Sequence, residues 1–166
     1  LSKDQLTEYR NAVADFEVRL VPRALRCGTG LRLVARASSA AGRGAAAVVN
    51  GVGNGDIVAT DRLLGVLPFS SVAGGIASFD AMAALKPARI VPGHGAVCDL
   101  AKARRETRDY LVLLRDHMKR AVDAGEDLQT ALDTLDQSAY SKLPNFDLLS
   151  GGNASRAYLE AEAAAF

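Results

Sequence analysis

The sequence predicts an α/β fold for its second half, on three observations. Two short apolar runs, Asp56-Ile57-Val58-Ala59-Thr60-Asp61 and Ala88-Arg89-Ile90-Val91, have the length and the flanking residues of buried strands. Between and after them, apolar residues recur at helical spacing. Strand, helix, strand, helix is the order of an α/β domain, grading into α+β where a helical tail follows.

Taken in order, residues 1–22 place Leu6, Tyr9, Val13 and Phe16 at helical spacing, and Phe16 to Val21 alternates like a short strand closed by Pro22. Residues 23–55 are different. They carry Arg23, Arg26, Arg32, Arg36 and Arg43, no acidic residue, and Ala/Gly-rich stretches such as Ala40-Ala41-Gly42-Arg43-Gly44. Leu31-Arg32-Leu33-Val34 and Ala47-Val48-Val49 are the strand-like pieces there. This segment reads either as a flexible Gly-rich connection or as sequence scrambled by a shifted frame or gene decay.

From Asp56 the pattern is regular. The first strand ends at Asp61, and a loop runs through Pro68. A helix follows over Gly74 to Leu85, with Ile76, Phe79, Ala83 and Ala84 on its apolar side and Lys86-Pro87 at its end. Pro92-Gly93 stops the second strand. Asp99 then caps a long helix whose apolar face holds Leu100, Ala103, Thr107, Leu111, Leu114, Met118, Ala121 and Val122, with Gly125 as its C-terminal stop. Asp127 starts a further helix through Leu128, Ala131, Leu132 and Leu135, and a last helix runs from Asn153. The chain divides into an irregular segment 1–55, an α/β portion 56–98 and a helical portion 99–166.

Composition excludes several classes. A chain of 166 residues, 49% hydrophobic and 23% charged, suits one globular domain. A net charge of +1 supplies no field for nucleic acid or an anionic membrane surface. With 5% aromatic residues and no Trp, a stacking platform for bases or sugars is not expected. No apolar run reaches transmembrane length. The first residues lack the apolar core of a signal peptide, which favours the cytoplasm. Cys27 and Cys98 are in neither a redox nor a zinc-finger spacing, and read as unrelated thiols before a disulfide pair.

Two residues stand where α/β folds place chemistry. His94 lies in the turn Pro92-Gly93-His94-Gly95, directly after a strand, with flanking glycines that leave its imidazole uncrowded for a metal. The plain alternative is a loop histidine without a ligand. Asp61 ends the other strand, where a carboxylate could bind one metal or bridge two, or simply cap the strand. His117, amid Arg115, Asp116, Lys119 and Arg120, reads as a solvated helix-face residue. Gly51-Val52-Gly53-Asn54-Gly55 lacks the Lys-Ser/Thr of a phosphate loop, and neither Ser38-Ser39 nor Ser70-Ser71 has a histidine nearby in sequence.

Taken together, Asp61 and Ala81-Met82-Ala83-Ala84-Leu85-Lys86-Pro87 leading into Ala88-Arg89-Ile90-Val91-Pro92-Gly93-His94-Gly95 resemble the second half of the metallo-β-lactamase-fold metallohydrolases. Arg108-Asp109-Tyr110-Leu111, Asp123-Ala124-Gly125 and Asn153-Ala154-Ser155-Arg156-Ala157-Tyr158-Leu159-Glu160 are similar to the subgroup linked to sulfur oxidation and quinoprotein relay. The resemblance covers about residues 56–166. It implies the second half of an αββα sandwich with a helical C-terminal extension, one or two zinc ions, and hydrolysis of a small ester, thioester or amide.

Only Asp61 and His94 carry over as metal ligands. The family's His-x-His-x-Asp-His motif is absent, its middle histidine falls at Gly42-Arg43-Gly44, and its usual Gly-Asp reads Thr60-Asp61. Catalytic zinc takes three protein ligands and a water, so two ligands hold it weakly. Two functions stay open: a truncated or degenerate zinc-dependent hydrolase, and a non-catalytic remnant or interaction module. Self-association or a partner chain completing the site belongs to either.

Overall fold

The computed structural model describes residues 57–68 and 70–165, with the backbone of two short strands, β1 (Val34–Ala35) and β2 (Ala46–Val48). Readings that fall on the rest of residues 1–56, including Cys27, Gly42-Arg43-Gly44 and the Gly51–Gly55 loop, lie outside the described residues.

Among the described residues α1 (Val72–Ala84) is the first helix, and β3 (Arg89–Val91) follows it. α2 (Leu100–Ala103) continues through a π-helical turn, Arg104–Arg108, into α3 (Asp109–Asp123). α4 (Leu128–Thr134), a 3₁₀ turn at Ser138–Tyr140 and the twenty-residue α5 (Phe146–Ala165) complete the chain.

The expected half of an αββα sandwich is not what forms. Helix takes up 62% of residues 57–68 and 70–165, which hold one short strand and no sheet of their own. β2 lies parallel to β3 and antiparallel to β1, through two or three residue pairs each. The expected strand Asp56–Asp61 is reduced to one bridge, Ala59 with His94. Its Ile57, Val58 and Ala59 are buried as a strand would be, mostly against helices and Ile90 of β3. An apolar run of this length fits a buried extended segment equally well, and pairing is decided by neighbours the pattern does not name.

Local signals placed the helix ends. The Ser71 hydroxyl accepts from Gly74 N at the start of α1. Asp99 accepts from Lys102 N at 2.7 Å, and Asp127 from Thr130 N at 2.9 Å, each filling an orphan donor of a first turn. Gly125 takes φ 72° after α3, the left-handed stop expected of it.

The core lies in two parts joined by α1. Val72 and Ile76 of α1 pack with Leu63, Leu64, Leu114 and Met118, while Phe79 and Met82 pack with Ile57, Val58, Ile90 and Ala103. Burying each large apolar side chain stabilises the fold by about 1.5–3 kcal/mol. α3 and α5 are the main helix pair, joined by buried Leu111, Leu114, Ala154 and Ala157. Asn153 is buried between them: its Oδ1 accepts from Val66 N at 2.7 Å, and its Nδ2 donates to Leu64 O at 2.7 Å and to the Tyr110 hydroxyl at 3.1 Å. This side chain, together with the Leu63 N–H donated to Pro144 O at 2.9 Å, docks the segment 63–66 onto the bundle.

Candidate functional site

Asp61 and His94 do come together, through backbone. Gly93 N donates to Val58 O at 3.0 Å and Thr60 N to His94 O at 2.8 Å, so the two segments run side by side. The turn between is closed by mutual hydrogen bonds of Ile90 and Cys98, at 2.8 and 2.9 Å. Gly95 has φ 107°, and a Cβ there would fall 2.3 Å from Thr60 O. Only glycine lets these segments touch. Cys98 is a buried free thiol, and burial pushes its pKa up. That suits packing, not nucleophilic chemistry.

Asp61 itself is turned by a left-handed backbone, φ 59°, which Asp tolerates better than most residues. Its carboxylate is occupied on both sides. Oδ2 accepts from Ala96 N at 2.9 Å, and Oδ1 pairs with the Lys102 ammonium at 2.9 Å. The Ala96 N–H first, and Lys102 second, hold this carboxyl below the usual carboxylate range. Lys102 bonds at the same time to Glu106, whose Oε2 accepts from Asp61 N at 2.8 Å. Glu106 and then Asp61 raise the lysine's pKa. The next residue, Thr107, donates to Ala59 O at 2.7 Å and accepts from Ala59 N at 3.1 Å. The first turns of the long helix thus grip residues 59–61 on backbone and side chain together.

The π-helical turn is what brings Glu106 and Thr107 onto residues 59–61. Arg108 then reaches back to α1, with Nε 2.6 Å and NH2 3.0 Å from the two oxygens of Asp80. A π turn inserts one extra residue into the helix, which changes the face presented before and after it.

These contacts decide the fit of a metal. An ammonium already sits on one oxygen of the carboxylate that the family resemblance assigns to the metal, and it would repel a divalent ion placed beside it. Among the described residues, no three His, Cys, Asp or Glu side chains are grouped to hold a metal ion. Asp61 with His94 alone does not fit a zinc centre of the hydrolytic kind.

Sequence reasoning missed Lys102, Glu106 and Thr107 as partners of residues 59–61, because nothing local connects positions more than forty apart. It also misread His117. Rather than facing water, its half-buried ring places Nε2 2.9 Å from Ala131 O and ties α3 to α4. Among the described residues, no helix is long and apolar enough to cross a membrane. Comparison of the chain with protein-family models and with curated proteins gives no match.

Proposed function

We propose that this chain is a non-catalytic module, in which the Asp61 and His94 segments form a structural joint and not a hydrolytic zinc centre. What supports the reading is the use made of Asp61: one carboxylate oxygen takes the Ala96 N–H and the other takes Lys102. A zinc-bound water attacking an ester, thioester or amide needs that carboxylate for the metal. The joint fastens the residues after β3 to the start of the long helix, so its contribution is to hold the two core regions in one arrangement.

One observation favours the competing reading, a zinc-dependent hydrolase acting on a small molecule. His94 is exposed and the Asp61 side chain is 47% exposed, so both are within reach of ligands supplied by another chain. Metal analysis separates the two. Purified protein is incubated with zinc at neutral pH, desalted and analysed by mass spectrometry, alongside a His94→Ala variant and assays on ester and thioester substrates. Sub-stoichiometric zinc, equal in both proteins, is the expected result. One or two zinc ions per chain that disappear in His94→Ala, with hydrolysis that disappears too, would overturn the proposal.

A further inference from the structure

Among the described residues, four large apolar side chains stand in solvent, and three of them gather at α5. Leu148 and Leu159 are on the helix, 78% and 54% exposed, and Leu67 follows Val66, which is bonded to Asn153. Leu148 and Leu159 are eleven residues apart. That is three turns and about 20°, so they share one face and stand about 16 Å apart. Asn153, Ala154, Ala157 and Tyr158 turn the opposite face to the core. Between the two leucines the outward face carries Gly151, Gly152 and Ser155. A Cβ on Gly151 would meet nothing within 4 Å, and the Ser155 hydroxyl turns back to donate to Gly151 O at 2.9 Å. The stripe is therefore uncharged along its length and low in its middle.

We propose that this face of α5 docks on the same face of a second copy of the chain, as an antiparallel helix pair about a two-fold axis. The inference goes beyond the proposed function and does not depend on whether zinc binds. A two-fold interface sets one patch against itself, so the patch must match its own reversal. The stripe does. About a centre between Asn153 and Ala154, Leu148 of one copy falls opposite Leu159 of the other, and Gly152 opposite Ser155. Small residues at the centre let the helix axes approach to about 8 Å, which brings the leucines at both ends into contact. Charge favours the same register. Exposed Glu162 continues the stripe and reaches the level of the partner's Asn145, just ahead of its α5, where the helix dipole favours an acid. A parallel pair would set the two Glu162 carboxylates against each other instead. A face about 16 Å long and about 10 Å wide covers a few hundred Å2 per copy, below the roughly 800 Å2 of a standard interface. The dimer is accordingly a weak, reversible one, with Kd on the order of 0.1 mM.

The test uses the full chain as wild type, the double variant Leu148→Glu with Leu159→Glu, and the single variants Ser155→Cys and Leu159→Cys. In sedimentation equilibrium from about 10 µM to about 1 mM, wild type should pass from monomer toward dimer. The double variant should associate at least about tenfold more weakly, with an unchanged circular dichroism spectrum, because both leucines are exposed. Under mild oxidation Ser155→Cys should form a disulfide dimer beyond the level of wild type, which carries Cys27 and Cys98. The antiparallel pair sets the two 155 positions about 6 Å apart, within disulfide reach. It sets the two 159 positions about 16 Å apart, so Leu159→Cys should not crosslink above wild type. A wild type that stays monomeric at about 1 mM overturns the proposal, whether or not another protein takes the face. Association that survives in the double variant overturns it, and so does a disulfide in Leu159→Cys but not in Ser155→Cys. If the double variant does not fold, the crosslinking pattern decides. Zinc lost in His94→Ala bears on the proposed function alone.

Discussion

Replacing Asn153 by Ala should be among the most damaging single changes available outside the large apolar core. Asn153 is 1% exposed and satisfies Val66 N, Leu64 O and the Tyr110 hydroxyl. The Tyr110 hydroxyl keeps Gln137 as a partner at 3.1 Å, so its loss is partial. Val66 and Leu64 are buried and lose the partners Asn153 supplies. Each unsatisfied buried backbone group costs about 1–3 kcal/mol. Together they set a range of roughly 2–6 kcal/mol, and a water entering the vacated space pulls the result toward the lower half. We expect about 3 kcal/mol, equivalent to a drop of about 6–12 °C in Tm at roughly 2–4 °C per kcal/mol for a chain of this size. Urea denaturation followed by circular dichroism measures it, with an unchanged m-value showing that the folded and unfolded states are otherwise the same. Tyr110→Phe, which spares both backbone partners, should lose clearly less. A loss under about 1 kcal/mol for Asn153→Ala is the size of an ordinary surface change. It would mean that segment 63–66 does not depend on this side chain for its docking, and the account of how Asp61 is delivered to its place would fail with it.

Gly95→Ala should destabilise by more than about 2 kcal/mol, because the new methyl meets Thr60 O at 2.3 Å on a backbone with φ 107°. Amide hydrogen exchange at Thr60 should speed up in that variant, and unchanged exchange would refute the close approach. Stability should also fall at both ends of the pH range. Asp61 and Asp80 have folded-state values lowered from 3.8, Asp61 by the Ala96 N–H and Lys102, and Asp80 by Arg108. Their contribution is complete above 3.8 and is lost as pH falls through the lowered values. Lys102 is raised from 10.5, so its share is complete below 10.5 and is lost as pH rises through the raised value. Melts recorded across the pH range should show a plateau between these limits, and Asp61→Asn should flatten the acid limb. An acid limb identical in Asp61→Asn would show that this carboxylate contributes nothing to it.

What the sequence showed plainly was punctuation. Ser71, Asp99 and Asp127 at helix starts and Gly125 at a helix end act through their own first or last turn, so their meaning is local. The strand Arg89–Val91 was legible from its apolar run and the Pro-Gly stop. What failed was anything set by distant partners. Asp56 to Asp61 reads as a strand from its apolarity, yet Thr107 takes both backbone groups of Ala59, and among the described residues one bridge is left to pair. α5 starts at Phe146, ahead of the expected Asn153, and Gly151-Gly152 lie inside a helix packed along α3. For the site, the adjacency of Asp61 and His94 was legible and the occupancy of Asp61 was not. Lys102 and Glu106 occupy successive turns of a helix, a spacing that looks like any solvated surface pair.

The wide turn at Arg104–Arg108 works as a phase shifter in the longest run of helix. Upstream of it, Lys102 faces the Asp61 loop; downstream, Leu111, Leu114 and Met118 face the bundle. A uniform α-helix advances 100° per residue, so one residue more or less in this stretch rotates everything on one side relative to the other by about that angle. Deleting a residue there would keep the helix and its composition nearly intact, yet swing Lys102 away from Asp61 or the apolar stripe away from α5. The helix on either side is thus geared through a single turn, whose residue count sets the phase while Glu106 and Thr107 supply its grip on residues 59–61.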